Sequence, residues 1–209
     1  MTRFGAAGLY VVTSAEFSAG RGTIPIVKSA LAAGVKLIQL REKNSTMREL
    51  INLGRTVRDM TARAGALLII NDRIDIAMAI GADGVHLGRN DLPTREARAI
   101  APDMIIGAST HNRSEALSAE ADGASYVNLG PVFPTKTKDH LDSFIGMEGV
   151  KEISKLLSIP FTVMGGIKKN HIPDLVSLGV RTIAVVTAVT AAPDPEKAAR
   201  ELLALIRGG

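Results

Sequence analysis

The chain has 209 residues, 46% apolar and 3% aromatic, with 25 basic and 21 acidic residues and a formal charge of +4. The apolar share argues against disorder, and the absence of cysteine excludes disulfides and thiolate chemistry. The mild positive excess comes without a dense basic run or a long apolar run, which disfavours nucleic-acid binding and a membrane span and suits small anionic ligands.

Short β-rich apolar runs alternate with helical patterns along the whole chain. The predicted strands are Gly8–Thr13, Val35–Arg41, Ala66–Asn71, Gly84–Leu87, Met104–Ser109, Tyr126–Gly130, Phe161–Gly165 and Thr182–Thr187. Eight evenly spaced strands, each followed by a helix, predict an α/β fold, a (β/α)8 TIM barrel that spans residues 1–209 as a single domain. A doubly wound open sheet is the alternative.

Three helix starts carry capping patterns. They are Thr46 with Glu49, Asn112 with Glu115, and Asp194 followed by Pro195. Gly34, Gly84 and Gly179 each stand just before an apolar strand, and we predict that each serves the turn from a helix end to that strand.

The second strand ends as Gln39-Leu40-Arg41-Glu42-Lys43. In a TIM barrel the active site lies at the carboxyl ends of the strands, so these side chains are candidates for it. Arg41 and Lys43 could bind a diphosphate, because the Arg41 guanidinium can donate two hydrogen bonds at once and the Lys43 ammonium is a compact positive charge. The alternative is a strand end paired by surface ion pairs.

Two carboxylates follow neighbouring strands, Asp72 after the third and Asp91 after the fourth. Such a pair fits Mg²⁺, which proteins hold by one or two carboxylates together with water and substrate phosphate oxygens. The alternative for Asp72 is an N-cap of the helix that follows. His86 lies within the fourth strand, where a hydrogen-bonding role inside the barrel is favoured over that of a catalytic base.

The later strand ends supply hydroxyl groups and glycines. Ser109 and Thr110 stand at the end of the fifth strand and could donate to an oxyanion. Gly165-Gly166 and Val186-Thr187 stand at the ends of the seventh and eighth strands, where this fold often binds phosphate. The loop after the sixth strand ends in four polar residues that suit a phosphorylated ligand, although an ordinary basic loop is the alternative. These residues are Thr135, Lys136, Thr137 and Lys138.

In combination these motifs resemble the thiamine-phosphate synthase family over nearly the whole chain. The resemblance rests on Gln39-Leu40-Arg41-Glu42-Lys43, Asn71-Asp72-Arg73, Gly84-Val85-His86-Leu87-Gly88, Gly130-Pro131-Val132-Phe133-Pro134-Thr135-Lys136-Thr137-Lys138, Gly165-Gly166-Ile167 and the end of the eighth strand. It implies a transferase that joins 4-amino-2-methyl-5-hydroxymethylpyrimidine diphosphate to 4-methyl-5-hydroxyethylthiazole phosphate, or its carboxylated precursor, and releases thiamine phosphate and diphosphate.

The resemblance also implies roles for individual residues. The pyrimidine diphosphate would be bound by Gln39, Leu40, Arg41, Glu42, Lys43, Asn71, Ser109 or Thr110, and Lys138. The thiazole phosphate would be bound by Thr135, Lys136, Thr137, Gly166, Val186 and Thr187. Asp72 and Asp91 resemble the Mg²⁺ ligands, and the catalytic cations would be Arg41, Lys43 and Lys138.

The expected mechanism is a dissociative substitution at the pyrimidine methylene. The cations and Mg²⁺ would neutralise the departing diphosphate, and the thiazole nitrogen would attack without needing a base. One departure from the family is Arg89, where glutamine usually follows His-Leu-Gly; the added cation could pair with Asp91 or contact the diphosphate. Thr187 replaces a common serine and keeps the hydroxyl.

Two alternative functions remain open at this point. One is a thiazole tautomerase-like isomerase, which would need only the thiazole-phosphate site. The other is a non-catalytic regulatory paralogue that binds thiamine phosphate. The expected partners are small phosphorylated substrates, and a homodimer is compatible with the sequence. Because no signal peptide opens the chain, we expect a cytoplasmic protein.

Overall fold

The computed structural model describes residues 2–135 and 144–208. In these residues eight parallel strands form a closed barrel in chain order, and β8 pairs with β1 through Leu9 and Ile183. The strands are β1 Leu9–Val12, β2 Leu37–Leu40, β3 Leu67–Asn71, β4 Gly84–Leu87, β5 Ile105–Thr110, β6 Tyr126–Leu129, β7 Phe161–Val163 and β8 Ile183–Val185. The predicted TIM barrel is confirmed, and the open sheet is wrong because no edge separates β1 from β8.

Helices surround the barrel. They are α1 Thr2–Gly5, α2 Thr23–Ala32, α3 Met47–Arg63, α4 Ile74–Ala79, α5 Thr94–Ile100, α6 Arg113–Ala121, α7 Gly146–Ser154, α8 Ile172–Ser177, α9 Thr187–Thr190 and α10 Pro195–Arg207, with a 3-10 turn at Lys169–His171. In the described ranges none is long and apolar enough to cross a membrane.

All three predicted caps are present. At α3 the Thr46 N–H donates to Glu49 Oε2 at 2.8 Å, and the Glu49 N–H donates back to Thr46 Oγ1 at 3.3 Å. The side chains of Asn112 and Asp194 accept from the third residue of α6 and of α10, each at 2.9 Å. These bonds satisfy helix N–H groups that have no partner within the helix.

The barrel separates two apolar cores. The larger lies between the strands and the helices, and the smaller fills the inside of the barrel. The inner core is aromatic at its centre, where Phe4, Tyr10 and Tyr126 pack together. Gly107 makes room for this packing, since a Cβ there would lie 2.1 Å from Cζ of Tyr126.

The predicted turn glycines divide into two kinds. Gly34 and Gly179 have φ values of +90° and +86°, which confirms their role in helix-to-strand turns. The same prediction is wrong for Gly84, which lies within β4, where a Cβ would lie 2.3 Å from the Ile105 carbonyl oxygen. The turn before β4 uses Gly81 instead, with φ +63°.

Candidate active site

Asp72 and Asp91 meet at the carboxyl ends of β3 and β4. The Asp72 N–H donates to the His86 carbonyl oxygen at 2.8 Å, and Asp91 Oδ2 accepts the Gly88 N–H at 2.7 Å. Burial and, after it, the neighbouring Asp91 carboxyl group raise the pKa of Asp72 from 3.8 to about 6. Two carboxylates this close repel each other when both are ionised, so the pair favours a bound cation.

Asp72 is not the cap of α4. That helix begins at Ile74, its N-cap position is occupied by Arg73, and no side chain caps it. Asp72 instead has φ +62°, in the left-handed region that aspartate tolerates better than most residues. This backbone turn keeps the carboxylate beside Asp91 and away from the helix.

The charges of Lys43 and Arg41 lower the pKa of Asp72 and partly offset the effects that raise it. Both cations therefore lie within electrostatic range of the carboxylate pair. The structure thus brings together two carboxylates and two cations from three different strand ends, as the sequence predicted.

The other residues of the β2 motif have different surroundings. Leu40 is fully buried in the core between barrel and helices. The Glu42 carboxylate accepts from Thr13 Oγ1 at 2.9 Å, Thr23 Oγ1 at 2.6 Å and the Ala15 N–H at 2.8 Å. Glu42 therefore ties the loop between β1 and α2 to the end of β2, a role that sequence reasoning missed.

A chain of side-chain hydrogen bonds crosses the inside of the barrel below the carboxylates. Gln39 Nε2 donates to the Tyr10 hydroxyl at 2.7 Å, and the Tyr10 and Tyr126 hydroxyls lie 3.0 Å apart. His86 Nδ1 lies 2.9 Å from the Tyr126 hydroxyl, and His86 Nε2 lies 2.9 Å from Ser109 Oγ. The expectation that His86 forms hydrogen bonds inside the barrel is confirmed.

The two hydroxyls at the end of β5 differ in direction. Thr110 is buried, and its Oγ1 donates to the Asn128 carbonyl oxygen at 3.1 Å. Ser109 is less buried and shares the barrel interior with His86. Asn71, partly exposed at the end of β3, pairs in register with His86 and lies on the same side of the site.

The loop after β6 is hydrogen-bonded to the loop after β7. The Val132 N–H donates to the Met164 carbonyl oxygen at 2.9 Å, and the Phe133 N–H donates to that of Gly165 at 3.0 Å. A Cβ at Gly166 would lie 2.4 Å from the Pro134 carbonyl oxygen. Glycine is therefore required for the approach of Pro134 to the β7 loop, and Thr135 follows Pro134 in the chain. Lys136, Thr137 and Lys138 lie outside the described residues.

Two backbone donors stand at the ends of β7 and β8. Within residues 2–135 and 144–208, no hydrogen-bond acceptor is found for the N–H groups of Gly166 and Thr187. Thr187 opens α9 directly after Val186, whose carbonyl oxygen accepts from Val189 and Thr190. Two unpaired N–H groups at adjacent strand ends suit an anion.

Arg89 forms an ion pair with Glu115 at the start of α6. Glu115 also accepts the His111 N–H at 2.9 Å and lies 2.8 Å from His111 Nδ1. Of the two roles considered for the added cation, pairing with Asp91 is therefore not the one found here. The Arg89 side chain is 66% exposed and joins the β4 loop to α6.

No cluster of three or more metal-ligating side chains occurs among residues 2–135 and 144–208. A site built wholly from protein ligands is thus absent from this part of the chain. Two carboxylates alone match the way proteins hold Mg²⁺, which keeps several waters and takes further oxygens from substrate phosphates.

Comparisons with known proteins identify relatives of this chain. The model of a family described as thiamine monophosphate synthase matches residues 9–189. The chain is 44% identical to thiamine-phosphate synthase of Chloroflexus aurantiacus over 95% of this chain and 92% of that protein. It is 43% identical to the enzyme of the same name from Archaeoglobus fulgidus, over 95% and 93%. The structure matches thiamine phosphate pyrophosphorylase from Pyrococcus furiosus with a TM-score of 0.91 and 39% identity, over 99% and 98% of the two chains.

Proposed function

The chain belongs to the thiamine monophosphate synthase family and is a transferase that forms thiamine phosphate, and we propose how its residues divide that work. One half of the barrel mouth, at the ends of β2 to β5, binds the pyrimidine diphosphate. We call it the diphosphate half. The other half, at the ends of β6 to β8, binds the thiazole phosphate and is called the thiazole-phosphate half.

The placement of Asp72 and Asp91 at neighbouring strand ends, within electrostatic range of Arg41 and Lys43, is the observation that carries the proposal for the diphosphate half. A partly buried carboxylate pair next to Arg41 and Lys43 fits Mg²⁺ and the phosphate oxygens of a substrate. Asp72 and Asp91 would hold the ion, which when bound supplies charge neutralisation to the leaving diphosphate.

The cations of this half stabilise the negative charge that develops as the diphosphate leaves. We assign that catalytic role to Arg41 and Lys43 of this half and to Lys138, which follows β6 in the other half, because they are the cations of the matching motifs. Gln39, Asn71 and Ser109 would orient the pyrimidine. Leu40 and Glu42 would act by fixing the end of β2. The Leu40 side chain packs in the core between barrel and helices, and the Glu42 carboxylate accepts hydrogen bonds from Thr13 and Thr23.

The thiazole-phosphate half binds its anion mainly through the backbone. The N–H groups of Gly166 and Thr187 are unpaired among the described residues, and Thr135 follows Pro134, whose carbonyl oxygen lies against Gly166. Val186 positions Thr187 at the end of β8. Lys136 and Thr137 complete the predicted phosphate contacts.

Placement of the two substrates accounts for most of the catalysis in this proposal. The thiazole nitrogen carries a lone pair, so it attacks the pyrimidine methylene without losing a proton. A dissociative substitution therefore needs stabilisation of the leaving group and alignment, and it needs no dedicated base. The synthase relatives disfavour the tautomerase and regulatory alternatives.

The test is the release of diphosphate and the formation of thiamine phosphate by the purified protein, with and without Mg²⁺. We expect both products only when Mg²⁺ and both substrates are present. Diphosphate release without the thiazole would show that the acceptor is misassigned. Full turnover in the presence of a chelator would reject the role of Asp72 and Asp91.

A further inference from the structure

The hydrogen-bond chain inside the barrel has one direction of proton donation, and its Gln39 end determines that direction. At one end Gln39 Nε2 donates to the Tyr10 hydroxyl, so the Tyr10 oxygen acts as an acceptor there. In the described residues the other partner of this hydroxyl is Tyr126, 3.0 Å away. A hydroxyl carries one proton, so the buried Tyr10 proton has an acceptor only if it points to Tyr126.

The direction of donation continues from the two tyrosines to His86. Because Tyr126 accepts from Tyr10, its own proton is directed at His86 Nδ1, 2.9 Å away. His86 Nδ1 is then an acceptor, and the proton of the neutral ring lies on Nε2. His86 Nε2 consequently donates to Ser109 Oγ at 2.9 Å, and the Ser109 hydroxyl proton stays available for another acceptor.

Both phenols remain protonated donors in this environment. Burial raises the pKa of Tyr10, and burial together with the neighbouring Tyr10 raises the pKa of Tyr126. A protonated His86 would need Tyr126 as an acceptor, which would turn the Tyr126 proton toward Tyr10 and leave the Tyr10 proton without a described acceptor. The hydrogen-bond chain therefore favours a neutral His86 ring.

Packing keeps the central member of the chain in place. The Tyr126 ring lies 4.1 Å from the Phe4 ring and occupies the space that the absent side chain of Gly107 leaves. The His86 ring stacks at 5.6 Å from it. A phenol held on these sides presents its hydroxyl to His86 in one geometry.

We propose that Tyr126 and His86 are positioning residues, which hold the Ser109 hydroxyl as a hydrogen-bond donor toward an acceptor atom of the bound pyrimidine diphosphate. This inference rests on the proposed function, which places Ser109 in the diphosphate half. It adds that the orientation of the Ser109 proton is determined by the Tyr126 hydroxyl, which acts through His86.

The first test is the tautomer of His86, measured by NMR in ¹⁵N-histidine-labelled protein without substrates. The chain has 4 histidines, and a His86→Gln sample assigns the signal. We expect the Nε2-protonated tautomer in the unsubstituted protein. Tyr126→Phe should abolish this preference. Tyr10→Phe is the matched control: it removes another buried hydroxyl of the same chain but leaves Tyr126 to donate, so the tautomer should be retained.

The second test is a double-mutant cycle on turnover. Tyr126→Phe should lower kcat roughly tenfold, the effect of one lost hydrogen bond, with a smaller change in KM. In a Ser109→Ala background the same substitution should have no further effect, because the hydroxyl that it orients is gone. A purely structural defect would lower kcat equally in both backgrounds.

The outcomes separate this inference from the proposed function. A His86 ring protonated on Nδ1 would reverse the bonds that join Tyr10, Tyr126, His86 and Ser109 and overturn the inference, even in an active synthase. Equal effects of Tyr126→Phe with and without Ser109 would also overturn it. Loss of both products in the unsubstituted protein would reject the proposed function, while the tautomer would still decide the direction of the chain.

Discussion

In the proposed function, the two halves of the barrel mouth bind anions by different means. The diphosphate half uses side-chain charge, since Asp72, Asp91 and the nearby cations act on one another electrostatically. The thiazole-phosphate half uses bare backbone, made accessible by Gly166, which lies against the carbonyl oxygen of Pro134. Substitutions in the diphosphate half should therefore act by changing charge, and substitutions in the thiazole-phosphate half should act by adding side-chain volume.

Removal of one carboxylate should have the largest effect. Asp91→Asn keeps an oxygen that can accept the Gly88 N–H, so it removes charge without removing the loop contact. We expect turnover to fall by about 100-fold or more, since loss of one preorganised electrostatic contact typically has this cost. The measurement is the initial rate of diphosphate release over a range of Mg²⁺ concentrations.

Asp83→Asn is the control for that experiment. Asp83 also accepts a backbone N–H, that of Leu68 at 2.8 Å, but it lies before β4 at the opposite end of the barrel. It also pairs with Arg58, so its substitution should lower stability while the Mg²⁺ dependence is retained. Equal Mg²⁺ dependence in Asp91→Asn and the unsubstituted protein would remove Asp91 from the proposed metal site.

The thiazole-phosphate half should respond to added volume. Gly166→Ala places a methyl group where a Cβ would lie 2.4 Å from the Pro134 carbonyl oxygen, at φ +63°. The loops after β6 and β7 must then separate, and we expect the KM for thiazole phosphate to rise about tenfold while Mg²⁺ binding is retained. Steady-state kinetics with each substrate varied in turn measures this difference.

Gly81→Ala is the matched control. Gly81 has the same φ of +63°, but nothing lies within 4 Å of its Cβ position. It should therefore show the cost of the left-handed backbone, about 1 kcal/mol, with an unchanged KM. If both variants raise the KM equally, general strain explains the effect and the backbone site loses its support.

The sequence predicted which strand ends carry polar residues, because the alternation of strands and the TIM-barrel rule place them at one face. It predicted less well what each side chain contacts. Glu42 belongs to the same motif as Arg41, yet its acceptors are filled by Thr13, Thr23 and Ala15 from a different part of the chain. Such contacts depend on the packing of the first two β/α units, which no local pattern encodes.

The surroundings of Asp72 and of the tyrosine pair could likewise not be predicted from local sequence patterns. An aspartate before a helix is typical of an N-cap, but Asp72 has a left-handed backbone and its N–H donates to the His86 carbonyl oxygen on the next strand. Tyr10 and Tyr126 are the 2 tyrosines of the chain, and both lie in predicted strands. Their meeting depends on the closure of the barrel and on the space at Gly107.

A smaller effect is expected on the stability of the metal-free protein. Folding raises the pKa of Asp72 from 3.8 to about 6, so the folded state binds this proton more tightly than the unfolded state. The favourable contribution of the Asp72 proton to the free energy of unfolding is present below about pH 4 and is lost as the pH rises to about 6. Asp72→Asn should therefore stabilise the metal-free protein by about 1 kcal/mol at pH 7, after allowance for solvent screening, and by nothing near pH 3.

Chemical denaturation at both pH values measures the Asp72 effect. Asparagine also tolerates the left-handed backbone, so the substitution tests charge rather than strain. Added Mg²⁺ should reverse the order at pH 7 by stabilising the protein with aspartate more than the variant. A variant that is less stable than the unsubstituted protein at pH 7 without metal would contradict the proposed repulsion within the carboxylate pair.

The smallest effect is expected at Arg89, which lies beside the diphosphate half but pairs outward with Glu115. An exposed ion pair contributes about 0–1 kcal/mol, so Arg89→Gln should change the melting temperature little and turnover by less than about threefold. Glu115→Gln is the comparison, because it breaks the same pair from the other side and should match Arg89→Gln in turnover. A large loss of turnover in Arg89→Gln alone would mean that this cation turns to the diphosphate during the reaction, and the boundary of the diphosphate half would then extend to include it.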